Sequence, residues 1–275
     1  MALWPRHADT LHSLLMTDAL PPAMPAATLV IFRDAVEGPP ELLMVERAKA
    51  MVFAAGALVF PGGRVDPGDH ALAALAGPHT DDWDADEADA AARIAAIRET
   101  IEEAGLPIGL DPIPDANTLA TLRAALHAGD AVGDALAKAH VRLTPEVLLP
   151  FARWRPAHAH ARIFDTRFYL AKLPAGAPPA SVDRTENARL CWQSAQGVLD
   201  AADTGQVAII YPTRRNLERL AQFASFDEAV AHARRYPPRT ITPFERTVDG
   251  VTKLCIPDDA GYPICDEILS DALRG

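Results

Sequence analysis

Arg98-Glu99-Thr100-Ile101-Glu102-Glu103-Ala104-Gly105-Leu106 is the stretch that decides how this 275-residue chain is read. It closes a run of helix formers from Glu87 to Ala104. Asp84 or Asp86 is available as the N-cap, and Gly105, before Pro107, is placed just past the helix end. Ile94, Ile97 and Ile101 fall at i, i+3, i+7 and make a narrow buried stripe, whereas Glu99, Glu102 and Glu103 fall at i, i+3, i+4 and share another face. Like charges at that spacing cost a helix a few tenths of a kcal/mol per pair, roughly, so the pattern asks for a compensating cation. Hard divalent ions take oxygen ligands, and Mg²⁺ combines a few carboxylates with waters and substrate phosphates. A solvated acidic face is the competing reading of the same composition.

Before this helix, a strand over Ala57 to Phe60 stops at Pro61-Gly62-Gly63, where paired glycines permit a tight turn and close backbone approach to a ligand. Further upstream, Ala27 to Asp34, a turn around Gly38-Pro39-Pro40, and Glu41 to Ala48 form a hairpin. Downstream, Asn117 to Ala128 and Asp130 to His140 are Ala-rich helices. Arg162 to Leu173, Leu190 to Gln196 and Val207 to Tyr211 have strand composition, Asn216 to Ser225 and Phe226 to Tyr236 are helical, and Thr240 to Ile264 has strand and turn chemistry. The sum is a chain of strands and helices of the α/β class.

Composition narrows the function. The chain has 26 Lys and Arg against 37 Asp and Glu, a formal net charge of −11, which excludes a general nucleic-acid binder because phosphate-backbone affinity rests on clustered basic charge. Three cysteines, Cys191, Cys255 and Cys265, supply neither a disulfide framework nor a zinc knuckle, and the histidines show no zinc spacing. No apolar run reaches membrane-spanning length, and residues 1–25 lack an export signal, so a cytoplasmic location and no membrane partner are expected. A homodimer is left open, since no heptad or apolar stripe names an interface.

Read together, Gly63-Arg64-Val65-Asp66-Pro67-Gly68-Asp69 and Arg98 to Leu106 resemble the Nudix box, G-x(5)-E-x(7)-R-E-U-x-E-E-x-G-U, where U is a bulky aliphatic residue. Asp69 stands at the box glutamate, Thr100 at an aliphatic position, and 28 residues replace the seven-residue spacer. A longer loop costs about 0.6 kcal/mol per doubling, which lets such an insertion be looped out. The lengthened box is similar to the branch that contains the larger coenzyme A diphosphohydrolases. Trp154-Arg155-Pro156, Arg162 to Tyr169, and Pro212-Thr213 to Asn216-Leu217 resemble further segments of that branch. Arg47 to Gly63 approximates the coenzyme A signature, with Arg47, Ala48, Gly56 and Phe60-Pro61-Gly62-Gly63 in register but Val52 at its second arginine.

The resemblance covers roughly residues 26–225 and implies a Nudix fold, an α+β sandwich with a mixed β-sheet between helices, in one domain at 26–275 after a leader at 1–25, with a helical insertion at 70–89 and a C-terminal extension. It implies a Mg²⁺- or Mn²⁺-dependent diphosphatase for a nucleotide or coenzyme A substrate. Glu99, Glu102, Glu103 and the Gly62 carbonyl would hold metal, Glu99, Arg98 and Glu102 would serve catalysis, and Arg47, Arg64 and Gly63 would contact substrate. Glu146 offers a later carboxylate or an ordinary helix start. Asp69 either supports the metal shell through water or caps a turn. Coenzyme A or an acyl derivative would give 3′,5′-ADP and 4′-phosphopantetheine. An ADP-ribose or dinucleotide pyrophosphatase and a non-catalytic Nudix-fold binding module are the alternatives.

Overall fold

The structure, a computed structural model, describes residues 22–48, 54–76, 87–156, 163–183 and 187–272. In chain order, β1 (Met24–Arg33), β2 (Glu41–Arg47), β3 (Leu58–Val59) and β4 (Gly62–Arg64) precede helices α1 (Pro67–Ala76) and α2 (Glu87–Ala104). Next come β5 (Leu110–Asp111), α3 (Ala116–His127), α4 (Val132–Ala139) and β6 (Arg142–Leu143), then β7 (Leu149–Trp154), β8 (Phe164–Lys172) and β9 (Asn187–Ser194). The C-terminal part holds α5 (Ala195–Asp203), α6 (Tyr211–Leu220), α7 (Phe226–Arg235), β10 (Thr240–Ile241), β11 (Phe244–Val248), β12 (Val251–Cys255), β13 (Asp266–Ile268) and α8 (Leu269–Ala272).

An eight-stranded mixed sheet runs β10-β7-β8-β1-β2-β3, with β4 on β1 and β9 on β2. β1 is apolar on both faces and sits at its centre, as a strand covered from both sides must. Ala27, Leu29 and Ile31 point into the core shared with α2, α3 and α4, while Val30 and Phe32 point into the opposite core, shared with α5, α6 and α7. The result is the expected sheet between two helical layers. β1 pairs in parallel with β8 from Met24↔Phe164 to Phe32↔Lys172. On its other side it is forked: β2 takes only its last residues, Phe32↔Leu42 and Arg33↔Glu41, and β4 takes its first, Ala26↔Arg64 to Thr28↔Gly62. The fork brings Gly62 and Gly63 under α2, and it turns the expected glycine turn into a short strand.

α2 has the expected bounds, and Gly105 closes it at φ 61° with its N–H on the Ile101 carbonyl. The expected narrow stripe is much wider: only Glu87, Ala88, Glu99 and Glu102 escape full burial, because α1, the sheet and α3 enclose the helix. α1 starts directly after β4, so the segment between the two motif halves is helical at its described ends, and Ala73 on α1 is buried against Ala90, Ala91 and Ile94. Val207 to Tyr211 does not form the expected strand. Only Ala208 makes a bridge, to Ala57, and α6 begins at Tyr211 with Pro212 in its first turn, so this apolar run is a loop that buries Ile209 and Tyr211. The β character of the tail is confirmed by a three-stranded sheet, β11-β12-β13.

The far end of α2 is pinned by a buried charge network. Asp89 accepts from Arg93 Nε at 2.7 Å, from the Tyr169 hydroxyl at 2.7 Å and from Arg167 Nη1 at 3.1 Å, and Arg93 Nη1 also donates to the carbonyls of Pro145 and Leu148. Removing one partner of a buried pair leaves an uncompensated charge, at a cost of about 3–5 kcal/mol. Asp89→Ala should therefore lose about that much stability in denaturant unfolding, and Asp89→Asn less.

Candidate functional site

The glycines of β4 explain their own identity. A Cβ on Gly62 would lie 2.3 Å from the Ala27 carbonyl oxygen, and one on Gly63 would lie 2.2 Å from Glu99 Oε1. No side chain fits between β4 and the strand on one side or the helix on the other. This closeness lets the Gly62 N–H donate to Glu103 Oε2 at 2.9 Å, and the Asn187 amide donates to Glu103 Oε1 at 3.0 Å. Gly62 therefore meets Glu103 through its N–H.

Arg98 organises the other carboxylates. It is 7% exposed, and its Nε and Nη2 form a fork on the Asp69 carboxylate at 3.1 and 3.0 Å. Nη1 reaches Glu99 Oε1 at 2.9 Å and Glu102 Oε2 at 3.5 Å, and Nη2 also donates to the Arg64 carbonyl at 2.9 Å. Asp69, fully buried, sits in the first turn of α1, and its Oδ2 also accepts the Asp66 N–H at 2.9 Å. It caps the turn and anchors Arg98 at once. Arg64 contributes its carbonyl, while its side chain is exposed. Arg47, at the end of β2, approaches Glu103 with Nη1 at 3.9 Å.

The electrostatics are those of acids withdrawn from water. Burial raises Glu99 to about 8, with Arg98 working against the shift and Glu103 with it. Burial raises Glu103 to about 7, opposed by the hydrogen bonds from Asn187 and Gly62. Burial also raises Glu102, again opposed by Arg98. Arg98 is itself disfavoured by burial, but the bond to Asp69 and the field of Glu99 more than offset this and hold it above its usual value. The donor set is all oxygen, which suits a hard divalent cation. Among the described residues no three acidic, His or Cys side chains close around one ion-sized point, since Glu99 and Glu102 lean on Arg98.

Sequence reading missed two supporting groups. Asn187 is remote in sequence and belongs to no motif half. Arg123 on α3 donates to the carbonyls of Glu102 at 2.8 Å and Glu103 at 3.1 Å and to Ser181 Oγ at 2.8 Å, placing a cation on the C-terminal end of α2. Elsewhere, the basic segment around Phe164 is largely neutralised, Arg153 by Asp165 and Arg167 by Asp89. Glu146 is exposed in a short 3₁₀ turn, Pro145–Val147. Val52, His158, His160 and Arg162 lie outside the described residues, as do Asp84 and Asp86.

A mixed sheet between helices, with a forked central strand and a glutamate helix over a glycine strand, defines the α/β class of the fold. A solved NUDIX hydrolase from Alicyclobacillus acidocaldarius superposes with a TM-score of 0.67 and 28% identity, covering 78% of this chain and 97% of that one. An acyl-coenzyme A diphosphatase, NUDT19 of Gallus gallus, is 27% identical over 281 residues, 81% of this chain and 73% of the relative. A MutT protein from Methanosarcina mazei Go1 aligns at a TM-score of 0.40 and 14% identity. No sequence-family profile matches. The chain is similar in sequence and fold to Nudix hydrolases. No helix among the described residues is long and apolar enough to cross a membrane.

The raised acids carry a pH dependence whose sign is fixed. Glu99 and Glu103 bind protons more tightly in the folded chain than at the ordinary 4.5, so their contribution to stability is complete below about pH 4.5 and is lost as pH rises through about 7 and about 8. The melting temperature of the metal-free protein should fall between about pH 5 and about pH 8.5, and Glu99→Gln or Glu103→Gln should flatten that fall.

Proposed function

We infer that the chain is a Mg²⁺- or Mn²⁺-dependent diphosphatase that cleaves a nucleoside diphosphate linked to a second group, most consistently coenzyme A or an acyl derivative, to 3′,5′-ADP and 4′-phosphopantetheine. The observation that carries the reading is the buried acidic face of α2 beside the two glycines of β4. Three carboxylates there share one helix face with a single guanidinium, and two of them are held well above their ordinary range by burial. A divalent ion compensates such a face, and the bare glycine backbone leaves room for a diphosphate to approach. In this reading Glu99, Glu102, Glu103 and the Gly62 carbonyl would hold the metal, which would supply charge neutralisation for the diphosphate and an activated water.

The chain's own groups do the remaining work. Arg98, gripped by Asp69, fixes the orientation of Glu99 and Glu102 and moderates their mutual repulsion. Glu99, or a glutamate from a later loop, accepts the proton of the attacking water. Arg47 faces the site beside Glu103 and takes a phosphate oxygen, as a guanidinium does well, while Arg64 at the rim and the open backbone of Gly63 complete the substrate contact. Residues 26–275 act as one catalytic unit after the leader at 1–25. The choice of substrate is supported by the likeness to the acyl-coenzyme A diphosphatase and by Arg47, Gly56 and Phe60 to Gly63 standing in register with a coenzyme A signature. The valine at position 52 keeps ADP-ribose and dinucleotides as the second substrate class.

Product analysis with coenzyme A, acetyl-coenzyme A, ADP-ribose and NADH, each with Mg²⁺, Mn²⁺ or chelator, tests this. Metal-dependent release of 3′,5′-ADP is expected; cleavage of ADP-ribose or NADH alone would replace the substrate, and ligand binding without any cleavage would favour a non-catalytic module. Glu103→Gln should lower kcat at least ~100-fold while the protein stays folded. Gly63→Ala, whose methyl takes the space of the Glu99 carboxylate, should lower kcat more than it lowers melting temperature.

A further inference from the structure

The side of the site across from the glycines is built by an irregularity in the sheet. β9 pairs with β2 in antiparallel register from Glu41↔Ser194 to Glu46↔Arg189. Strand alternation carries Leu190 and Trp192 to the α2 side and Cys191 to the other. Continued regularly, that register would set Ala188 opposite Arg47. Instead the register shifts, Asn187 lies opposite Arg47, and Ala188 is left exposed. Such a bulge re-aims a side chain. The side chain re-aimed here is the 1% exposed Asn187, whose amide nitrogen donates to Glu103 Oε1 at 3.0 Å and whose backbone N–H is held by Asp183 Oδ1 at 3.2 Å.

Asn187 differs from an amide that merely fills a core. Among the described residues its buried Oδ1 has no hydrogen-bond partner, nor has the buried Nε of Arg47, the residue opposite it on β2. Both residues flank the same oxygen of Glu103, Asn187 at 3.0 Å and Arg47 at 3.9 Å. Buried polar atoms are as a rule satisfied. A free acceptor and a free donor on paired residues, both beside the acid expected to hold metal, mark positions for ligand atoms.

We propose that Asn187 is a positioning residue of the diphosphate site: its amide nitrogen sets the orientation of Glu103, and its carbonyl oxygen, with Arg47 Nε, forms an acceptor–donor pair for a hydrated phosphate group of the substrate. The proposal rests on the diphosphatase reading above. With Oε2 on the Gly62 N–H and Oε1 on Asn187, Glu103 is held from both sides. A neutral amide does this without adding a second charge beside it.

The test compares wild type with Asn187→Leu, close in volume but with neither donor nor acceptor, and with the shorter Asn187→Ala in case the first fails to fold. Mn²⁺ affinity is read by electron paramagnetic resonance without substrate, kcat and KM separately with the best substrate, and melting temperature without metal. The expected result is a Kd for Mn²⁺ raised at least ~10-fold, the range for groups that orient metal ligands, with kcat lowered and KM raised. Arg47→Met should raise KM, and its combination with Asn187→Leu should raise KM by less than the product of the single effects. A folded variant with unchanged Mn²⁺ affinity and kinetics overturns the proposal, as does a drop in melting temperature with Mn²⁺ affinity intact. A wild-type protein that binds Mn²⁺ but loses nothing in the variants refutes only the role of Asn187, whereas one that neither binds Mn²⁺ nor cleaves a diphosphate refutes the underlying reading and the proposal with it.

Discussion

The hydrogen bond from the Gly62 N–H to Glu103 is the constraint on which the rest of the architecture depends. It requires main chain to approach within 2.9 Å of a helix side chain while also pairing with β1, and only glycine leaves space for both contacts. The fork of β1 follows from it. β2 separates from β1 after its first two residue pairs, and β4 enters beside the vacated length, so the centre of the sheet supplies the floor of the site. The parallel ladder with β8, buried on both faces, holds that floor rigid.

Charge is the second organising term. α2 carries acids and arginines towards both ends, all but Glu87 largely withdrawn from water, and each end solves the cost differently. At the far end Asp89 is matched by Arg93, Arg167 and Tyr169, and the network is structural. At the near end one guanidinium, Arg98, serves Asp69, Glu99 and Glu102, while Glu103 is hydrogen-bonded by the neutral donors of Gly62 and Asn187 with the Arg47 guanidinium farther off at 3.9 Å. Acid exceeds base there, and proton affinity rises accordingly. A surplus of buried carboxylate confined to one end of a helix is the asymmetry that supports the proposed metal reading.

α1 shows how a departure from a motif is accommodated. The aspartate at position 69 is shorter than the glutamate of the family pattern, yet it makes a two-toothed contact with Arg98. It does so because α1 begins at Pro67, directly after β4, and places residue 69 in its first turn, where the same carboxylate also accepts the Asp66 N–H. The long segment between the motif halves therefore starts as a helix packed on α2, and the spacing of the halves along the chain has little effect on their spacing in space.

Local periodicity and turn chemistry were enough to define α2, its glycine stop, the hairpin of β1 and β2, and the shared face of Glu99, Glu102 and Glu103, because each depends on residues a few positions apart. They misjudged Val207 to Tyr211, whose apolar character reflects burial against the core rather than strand pairing, with Pro212 starting a helix immediately after. Which atoms meet Glu103 was beyond them. The Gly62 N–H arrives through the fork of β1, Asn187 through a bulge more than eighty residues later in the chain, and Arg123 from a separate helix. The sequence by itself determined which acids share one face of α2 and where that helix ends. Only the tertiary structure decided how those acids are held, because hydrogen bonds between distant strands and helices depend on sheet register and packing, which no local pattern encodes.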